Sequence, residues 1–333
     1  MFNWWPEAES NCRPLVFQIW ANHLTLIDYT LYLLIFCYHF VMTKSILITG
    51  GAGFIGHQVV NEIISSSDWN IYFIDRLSYA GDLNRINEII EESNNEARKR
   101  IKFIYHDLKA PLNKHVLKQI ESVNIVLHIG ASSHVNRSIQ DPSVFIQDNI
   151  VGTFNILEAS KKLENLELFY YFSTDEVFGP SDDKLKFKEW DRYNSKNPYS
   201  ATKAAGEELT IAYNNTYSIP SLITHCCNVY GIRQNSEKFI PNTIKKILNG
   251  EKVIVHTDMN DEPGSRYYIY NNDLSKSVIY LINNYQTIKN IAYTEQKKSP
   301  PKINISGESH ISNLEIVQLI GSFLNKEFNY ILE

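Results

Sequence analysis

Metal-binding spacings are missing from this chain. Its four cysteines, Cys12, Cys37, Cys226 and Cys227, form no Cys-x-x-Cys pair. That excludes zinc-ribbon and thioredoxin-type sites. Cys226 and Cys227 are chain neighbours and poor partners for a simple disulfide, so the set fits a reducing compartment. The ten histidines show neither His-x-x-x-His nor His-Glu-x-x-His spacing, and no metal is expected. Basic runs with interleaved aromatics are also absent, and the formal net charge is −5. A nucleic-acid partner is disfavoured on both counts. A membrane span needs roughly 20 apolar residues. The greasy stretch Tyr29 to Met42 is shorter, with Asp28 at one end and His39 inside it.

What is present falls into unequal parts. Residues 1–41 hold three of the five tryptophans, Trp4, Trp5 and Trp20. They lack the basic n-region and the small-residue cleavage site of a signal peptide. A strand pattern begins at about Ser45, almost without a linker. Residues 1–41 are therefore read as a non-native leader from a misassigned start, with Met42 as the natural beginning; a short hydrophobic anchor is the alternative. Residues 42–225 read as a dinucleotide-binding Rossmann domain. Residues 226–333 read as a smaller α/β substrate lobe interleaved with it. The class expected is α/β, a doubly wound parallel sheet with a smaller C-terminal α/β lobe.

Lys44 to Thr49 is a short β-branched run that leads into Gly50-Gly51-Ala52-Gly53-Phe54-Ile55-Gly56, then into apolar positions Val59, Val60, Ile63 and Ile64 at helical spacing. Strand, glycine turn and helix stand in the order a dinucleotide site requires. Gly50 permits the tight turn, Gly53 lets backbone approach a pyrophosphate, and Gly56 lets helix and strand pack closely. The pyrophosphate sits on the free N–H groups at the helix start, beside Phe54 and Ile55. A second strand, Asn70 to Ile74, ends at Asp75, whose carboxylate suits ribose hydroxyls and repels a 2′-phosphate, which favours NAD over NADP. Arg76 complicates that preference, because an arginine there can greet a phosphate. A third strand, Ile101 to Tyr105, ends near Asp107 and Leu108, which could flank adenine. A fourth, Ile125 to Ile129, ends in the small residues Gly130 to Ser133. The alternation continues through Asn149–Leu163, Phe169–Ser173 and Ala201–Tyr217.

The strand from Leu168 delivers Ser173-Thr174-Asp175-Glu176. Further on, Tyr199 and Lys203 are spaced i, i+4 and share one helical face. An ammonium there is expected to lower the phenol pKa and favour a base for a sugar hydroxyl.

On these residues the chain resembles the extended short-chain dehydrogenases/reductases. Within them it is similar to the dTDP-glucose 4,6-dehydratase family, through Asp75 to Gly81, Ser133 to Ser138, Ser173 to Gly179 and Glu237 to Pro241. The resemblance runs from about Met42 to the C-terminus and implies NAD-dependent conversion of an NDP-glucose to its 4-keto-6-deoxy form. By that resemblance Tyr199, assisted by Lys203, takes the C4 hydroxyl proton as hydride leaves C4, and Thr174 steadies the C4 oxygen. Glu176 removes the C5 proton, Asp175 protonates the departing C6 hydroxyl, and hydride returns to C6. Ser133, His134, Asn228, Arg233, Glu237, Lys238, Arg266 and Asn304 fall where the family grips the nucleotide sugar. The resemblance also implies a cytoplasmic homodimer.

The chain departs from the family at Ser132 (usually Glu), Val229 (often Asn) and Asn136 (often Asp). The loop Asp258 to Ser265 is unusually acidic for a diphosphate pocket. The chain also stops at Glu333, about where the family continues with an Arg-Pro-Gly-His-like segment and a final helix. An epimerase or decarboxylase of the same superfamily, and a truncated NAD-binding pseudoenzyme, are the competing readings. The base of the nucleotide is left open.

Overall fold

The computed structural model describes residues 43–181, 186–296 and 299–333. The leader of residues 1–41, with Cys12, Cys37 and the apolar stretch to Met42, lies outside them. Lys44–Glu333 forms one compact unit.

Short apolar runs become the strands β1 (Ser45–Thr49), β2 (Asn70–Asp75), β3 (Ile101–Tyr105), β4 (Ile125–His128), β5 (Leu168–Thr174) and β6 (Ser221–Cys226). After them come β7 (Asn228–Tyr230), β8 (Val253–Val255), β9 (Ser265–Tyr270), β10 (Lys302–Ile305), β11 (His310–Ser312) and β12 (Tyr330–Leu332). Seven strands form one sheet in the order β10-β6-β5-β4-β1-β2-β3, with every pairing parallel. The α/β doubly wound fold read from the sequence is present. A three-stranded sheet, β11-β9-β7, and a two-stranded one, β12-β8, make the smaller C-terminal part. β10 returns from that part to pair with β6, Lys302 opposite Ile223.

β1 is buried along its whole length, as a parallel strand covered on both faces must be. The period of two then decides the layers. Ile46 and Ile48 join the core beneath the helices Phe54–Ser66 and Asn271–Asn283. Leu47 points the other way, into the core that holds Ile156 and Leu157 of the helix Gly152–Ser160. Each such side chain contributes about 1.5–3 kcal/mol of burial, so the sheet cannot slip by one residue without inverting both cores.

Chain order reverses across β1 and β4, and the crevice opens there, at the carboxyl ends of the strands. Gly50 takes φ +70°, and a Cβ on it would lie 2.8 Å from Gly130 Cα, so the turns after β1 and β4 touch backbone to backbone. Beneath them the buried His128 ring bridges Thr49 Oγ1 (2.7 Å) and Thr153 Oγ1 (3.0 Å).

One element boundary differs from the pattern. The helix read as Asn149–Leu163 begins as a wide π-type turn, Ile146–Val151, before the helix Gly152–Ser160. That turn carries Asp148 and Asn149 into the protein, where both are buried; such wide turns often accompany functional sites. The helix that carries Tyr199 and Lys203 runs Pro198–Tyr217, as their shared helical face requires, and opens on a reciprocal capping box of Asn197 and Ser200 with proline just inside. Among the described residues no helix is long and apolar enough to cross a membrane.

Candidate active site

A cleft of about 320 Å³ lies over the carboxyl ends of β1, β2, β4 and β5. At one end the glycine turn feeds the helix Phe54–Ser66, whose N-cap Gly53 offers no side-chain hydrogen bond. The first helical N–H groups therefore face the cleft without a side-chain partner, as an anion site requires. Gly50, Gly53, Phe54, Ile55 and Gly56 line this end. A Cβ on Gly56 would lie 2.2 Å from the Gly50 carbonyl oxygen, which is the close packing expected of it.

Asp75 ends β2 and accepts from Leu77 N (2.8 Å) and Ala52 N (3.2 Å). Burial raises its carboxyl above the usual range, against those hydrogen bonds and Arg76. Asp107 and Leu108 border the same end. Turn, uncapped helix start and acid together fit an adenine dinucleotide.

The other end of the cleft is set by β5 and the helix Pro198–Tyr217. Gly206 lets the two pack: a Cβ there would lie 2.1 Å from the Tyr171 hydroxyl oxygen. Tyr199 and Lys203, on this helix, are thereby brought beside Thr174, Asp175 and Glu176, and all five line the cleft. Lys203 is fully buried; burial lowers its ammonium to about 8, against the opposing pull of Glu207. It donates to the Phe172 carbonyl at 2.7 Å and lies 4.4 Å from the centre of the Tyr171 ring.

One expectation is corrected here. Tyr199 is raised rather than lowered, first by burial and then by the charge of Glu176, against a hydrogen bond with Thr174. The Lys203 ammonium is instead committed to the Phe172 carbonyl.

Asp175 lines the cleft as an exposed residue. Partial desolvation within the cleft, and the like charge of Glu176, push it up to about 6. The Glu176 carboxylate accepts from Asn197 Nδ2 at 3.1 Å, so the residue that caps the helix also orients this acid. Two adjacent carboxyls thus meet different surroundings.

Ser133, His134, Asn228, Glu237 and Lys238 line the cleft as well. Lys238 Nζ donates to the Ser133 carbonyl at 3.2 Å, Glu237 accepts from Arg137 at 2.5 Å, and Arg137 stacks 3.9 Å over the Tyr79 ring. Three expected residues stand elsewhere. Arg233 is ion-paired with Glu88 of the helix Asn84–Glu92. Arg266 is an exposed residue of β9, its guanidinium donating to the Ser265 carbonyl at 2.9 Å. Asn304, on β10, is bonded to His225 Nδ1 at 3.0 Å. None of the three lines the cleft.

The sequence reading missed several residues. Cys226 and Cys227, noted there only as poor disulfide partners, are free, buried and in the cleft wall. Glu207 is buried one helical turn beyond Lys203, bonded to Ser173, Tyr193 and His225 and paired with Lys302. The i, i+4, i+8 series Tyr199, Lys203, Glu207 was its only signal. Asp148 gave no signal at all. Among the described residues no cluster could hold a metal ion.

Comparison with known proteins agrees with this geometry. A family model described as GDP-mannose 4,6 dehydratase matches residues 47–316. The chain is 36% identical over 296 residues to a dTDP-glucose 4,6-dehydratase of Neisseria gonorrhoeae, covering 85% of this chain and 78% of that protein. It is 33% identical to the Salmonella typhimurium dTDP-glucose 4,6-dehydratase, covering 84% and 77%. Among solved structures, the dTDP-glucose 4,6-dehydratase DesIV of Streptomyces venezuelae, with NAD bound, superposes with a TM-score of 0.73 at 25% identity over 87% of this chain and 85% of that one. The UDP-glucuronic acid 4-epimerase of Bacillus cereus gives 0.72 at 26% identity, over 87% and 86%. An extended short-chain dehydrogenase fold, a family match over most of the chain and relatives this similar place the chain in the nucleotide-sugar 4,6-dehydratase family, to which it belongs.

Proposed function

We propose that this protein is an NAD-dependent NDP-glucose 4,6-dehydratase, with dTDP-glucose as the leading substrate. The observation that carries the reading is the acid pair at the end of β5. Asp175 and Glu176 share one cleft with Tyr199 and Lys203, and Asp175 is pushed up to about 6. Epimerisation at C4 needs no elimination acid and base; loss of water across C5 and C6 needs both.

The roles are those the family resemblance implies, and the surroundings support them. Tyr199 accepts the C4 hydroxyl proton, with Thr174 holding the C4 oxygen. Glu176, oriented by Asn197, takes the C5 proton, which a C4 ketone acidifies. Asp175, raised enough to keep a protonated fraction near neutral pH, gives its proton to the C6 hydroxyl, which leaves as water. NAD, held by Gly50, Gly53, Gly56 and Asp75, would supply a positive charge favouring the Tyr199 phenolate and the hydride-accepting and hydride-donating chemistry that the overall reaction needs. Lys203 remains charged at neutral pH and fixes the helix against β5. Ser133, His134, Asn228, Glu237 and Lys238 hold the nucleotide sugar.

A homodimer is supported by apolar side chains left exposed along one stretch: Ile139, Val144, Ile146 and Phe154. Light scattering on the purified protein measures it. The activity is tested by incubating the protein with dTDP-glucose and UDP-glucose separately and following product by NMR. A 4-keto-6-deoxy sugar supports the reading; C4 epimer alone refutes it.

A further inference from the structure

Arg76 follows the acid that ends β2 and lies in the cleft wall. An arginine at this place could pair with a phosphate on the adenosine 2′ position, because its fork matches phosphate oxygens. The structure shows it committed elsewhere. Arg76 Nη1 and Nη2 each meet one oxygen of Asp148 at 2.6 Å, a bidentate pair. Asp107 adds two contacts at 3.4 Å. The Asp148 side chain is 6% exposed and that of Arg76 26%, so the pair is shielded from solvent screening.

Asp148 is itself held in place. Ser132 Oγ donates to the oxygen that faces Nη2, at 2.6 Å. The wide turn Ile146–Val151 sets it inward beside Asn149, which accepts from Ser132 N at 2.8 Å and donates to Thr202 Oγ1 at 2.9 Å. Asp75, Asp107, Asp148 and Arg76 all line this end of the cleft. Lys109, 3.3 Å from Asp107, and Arg85, which donates to the Ala52 and Ala80 carbonyls, also line this end, so each cation there already has a partner within the protein.

We propose that Asp148 is a cofactor-selectivity residue: by binding Arg76 in a bidentate pair it withholds from a 2′-phosphate the arginine that follows Asp75, so that a 2′-hydroxyl is accepted and a 2′-phosphate is not. The proposal rests on the reading that the cleft holds an adenine dinucleotide. Asp75 alone, already engaged by two backbone N–H groups, leaves the neighbouring arginine free to undo its effect. Asp148 removes that freedom from 72 residues away.

The test is calorimetric titration of NAD and of NADP, at one ionic strength, into the full chain and its variants. The protein itself binds NAD and rejects NADP. Asp148→Asn keeps the shape and the Ser132 contact but releases Arg76; NADP affinity rises by about 10-fold or more, the scale of one charge-assisted phosphate contact, while NAD affinity stays within about threefold. Asp148→Glu retains the carboxylate and still rejects NADP. Adding Arg76→Ala to Asp148→Asn cancels the gain. NAD binding by the parent with no NADP gain in Asp148→Asn overturns the proposal and leaves the dinucleotide reading standing, as does a gain that survives loss of Arg76. Acceptance of NADP by Asp148→Glu also overturns it. Failure of the parent to bind either dinucleotide overturns both.

Discussion

The Lys203 ammonium donates to the Phe172 carbonyl at 2.7 Å, which ties the helix Pro198–Tyr217 to β5 two residues before Thr174. A buried ammonium is costly unless paired. Glu207, one turn further along the same helix, supplies the opposing charge that raises Lys203 against burial. Burial acts to raise Glu207 too, but His225, Lys302 and Ser173 bring its carboxyl below the ordinary range.

We therefore expect Glu207→Gln to move the alkaline limb of the kcat–pH profile to lower pH. Without that carboxylate the Lys203 value drops further below about 8, and the charged form is lost sooner as pH rises. A packing defect alone would lower kcat at every pH and leave the limb in place.

Glu176→Gln should leave oxidation at C4 intact and stop elimination. Only removal of the C5 proton needs this base. Exchange of C5 hydrogen for solvent deuterium is expected to slow by about 10²-fold or more. Exchange at the parent rate would remove Glu176 from the mechanism.

Tyr199→Phe should halt the reaction before any reduced cofactor appears. The half-buried phenol is raised by desolvation and by Glu176, and in the variant no base remains for the C4 hydroxyl. Absorbance near the reduced-nicotinamide band, followed after mixing with dTDP-glucose, is expected to stay flat. Reduced cofactor building up in this variant would reassign the base.

Acid should destabilise the fold through two buried histidines. Burial pushes His57 down to about 4 and His128 to about 3, against about 6.5 in the unfolded chain. Both folded values lie below the unfolded one, so the unfolded state takes up protons first. Their stabilisation is complete above about pH 6.5 and is lost as pH falls, toward 4 for His57 and toward 3 for His128. Each costs about 1.4 kcal/mol per pH unit inside its window. Asp175 works the other way, since its folded value of about 6 lies above the ordinary one and protonation on folding favours the native state as pH falls below 6. Comparing the parent with His57→Gln isolates one histidine: between pH 6 and 4.5 the parent should lose about 1.4 kcal/mol more per pH unit. Parallel curves would mean that His57 is not held neutral.

The sequence by itself determined the parts that depend on near neighbours along the chain. β-branched runs gave β1 through β5 within about a residue, because strand formation reads local pattern. The glycine turn, the acid after β2, and the Tyr199 and Lys203 pair were legible because each is set by spacing within one strand–turn–helix unit. Only the tertiary structure decided the rest. Asp148 meets Arg76 across 72 residues, and Glu207 meets Lys302 across 95; no local period encodes either meeting. Likewise the rise of Tyr199 arises from burial and from the charges of Glu176 and Asp175, which another element brings to it. Desolvation and Coulomb energy depend on distance in space. β10 was missed for the same reason: four residues, Lys302–Ile305, are a strand only because the edge of β6 is there to receive them.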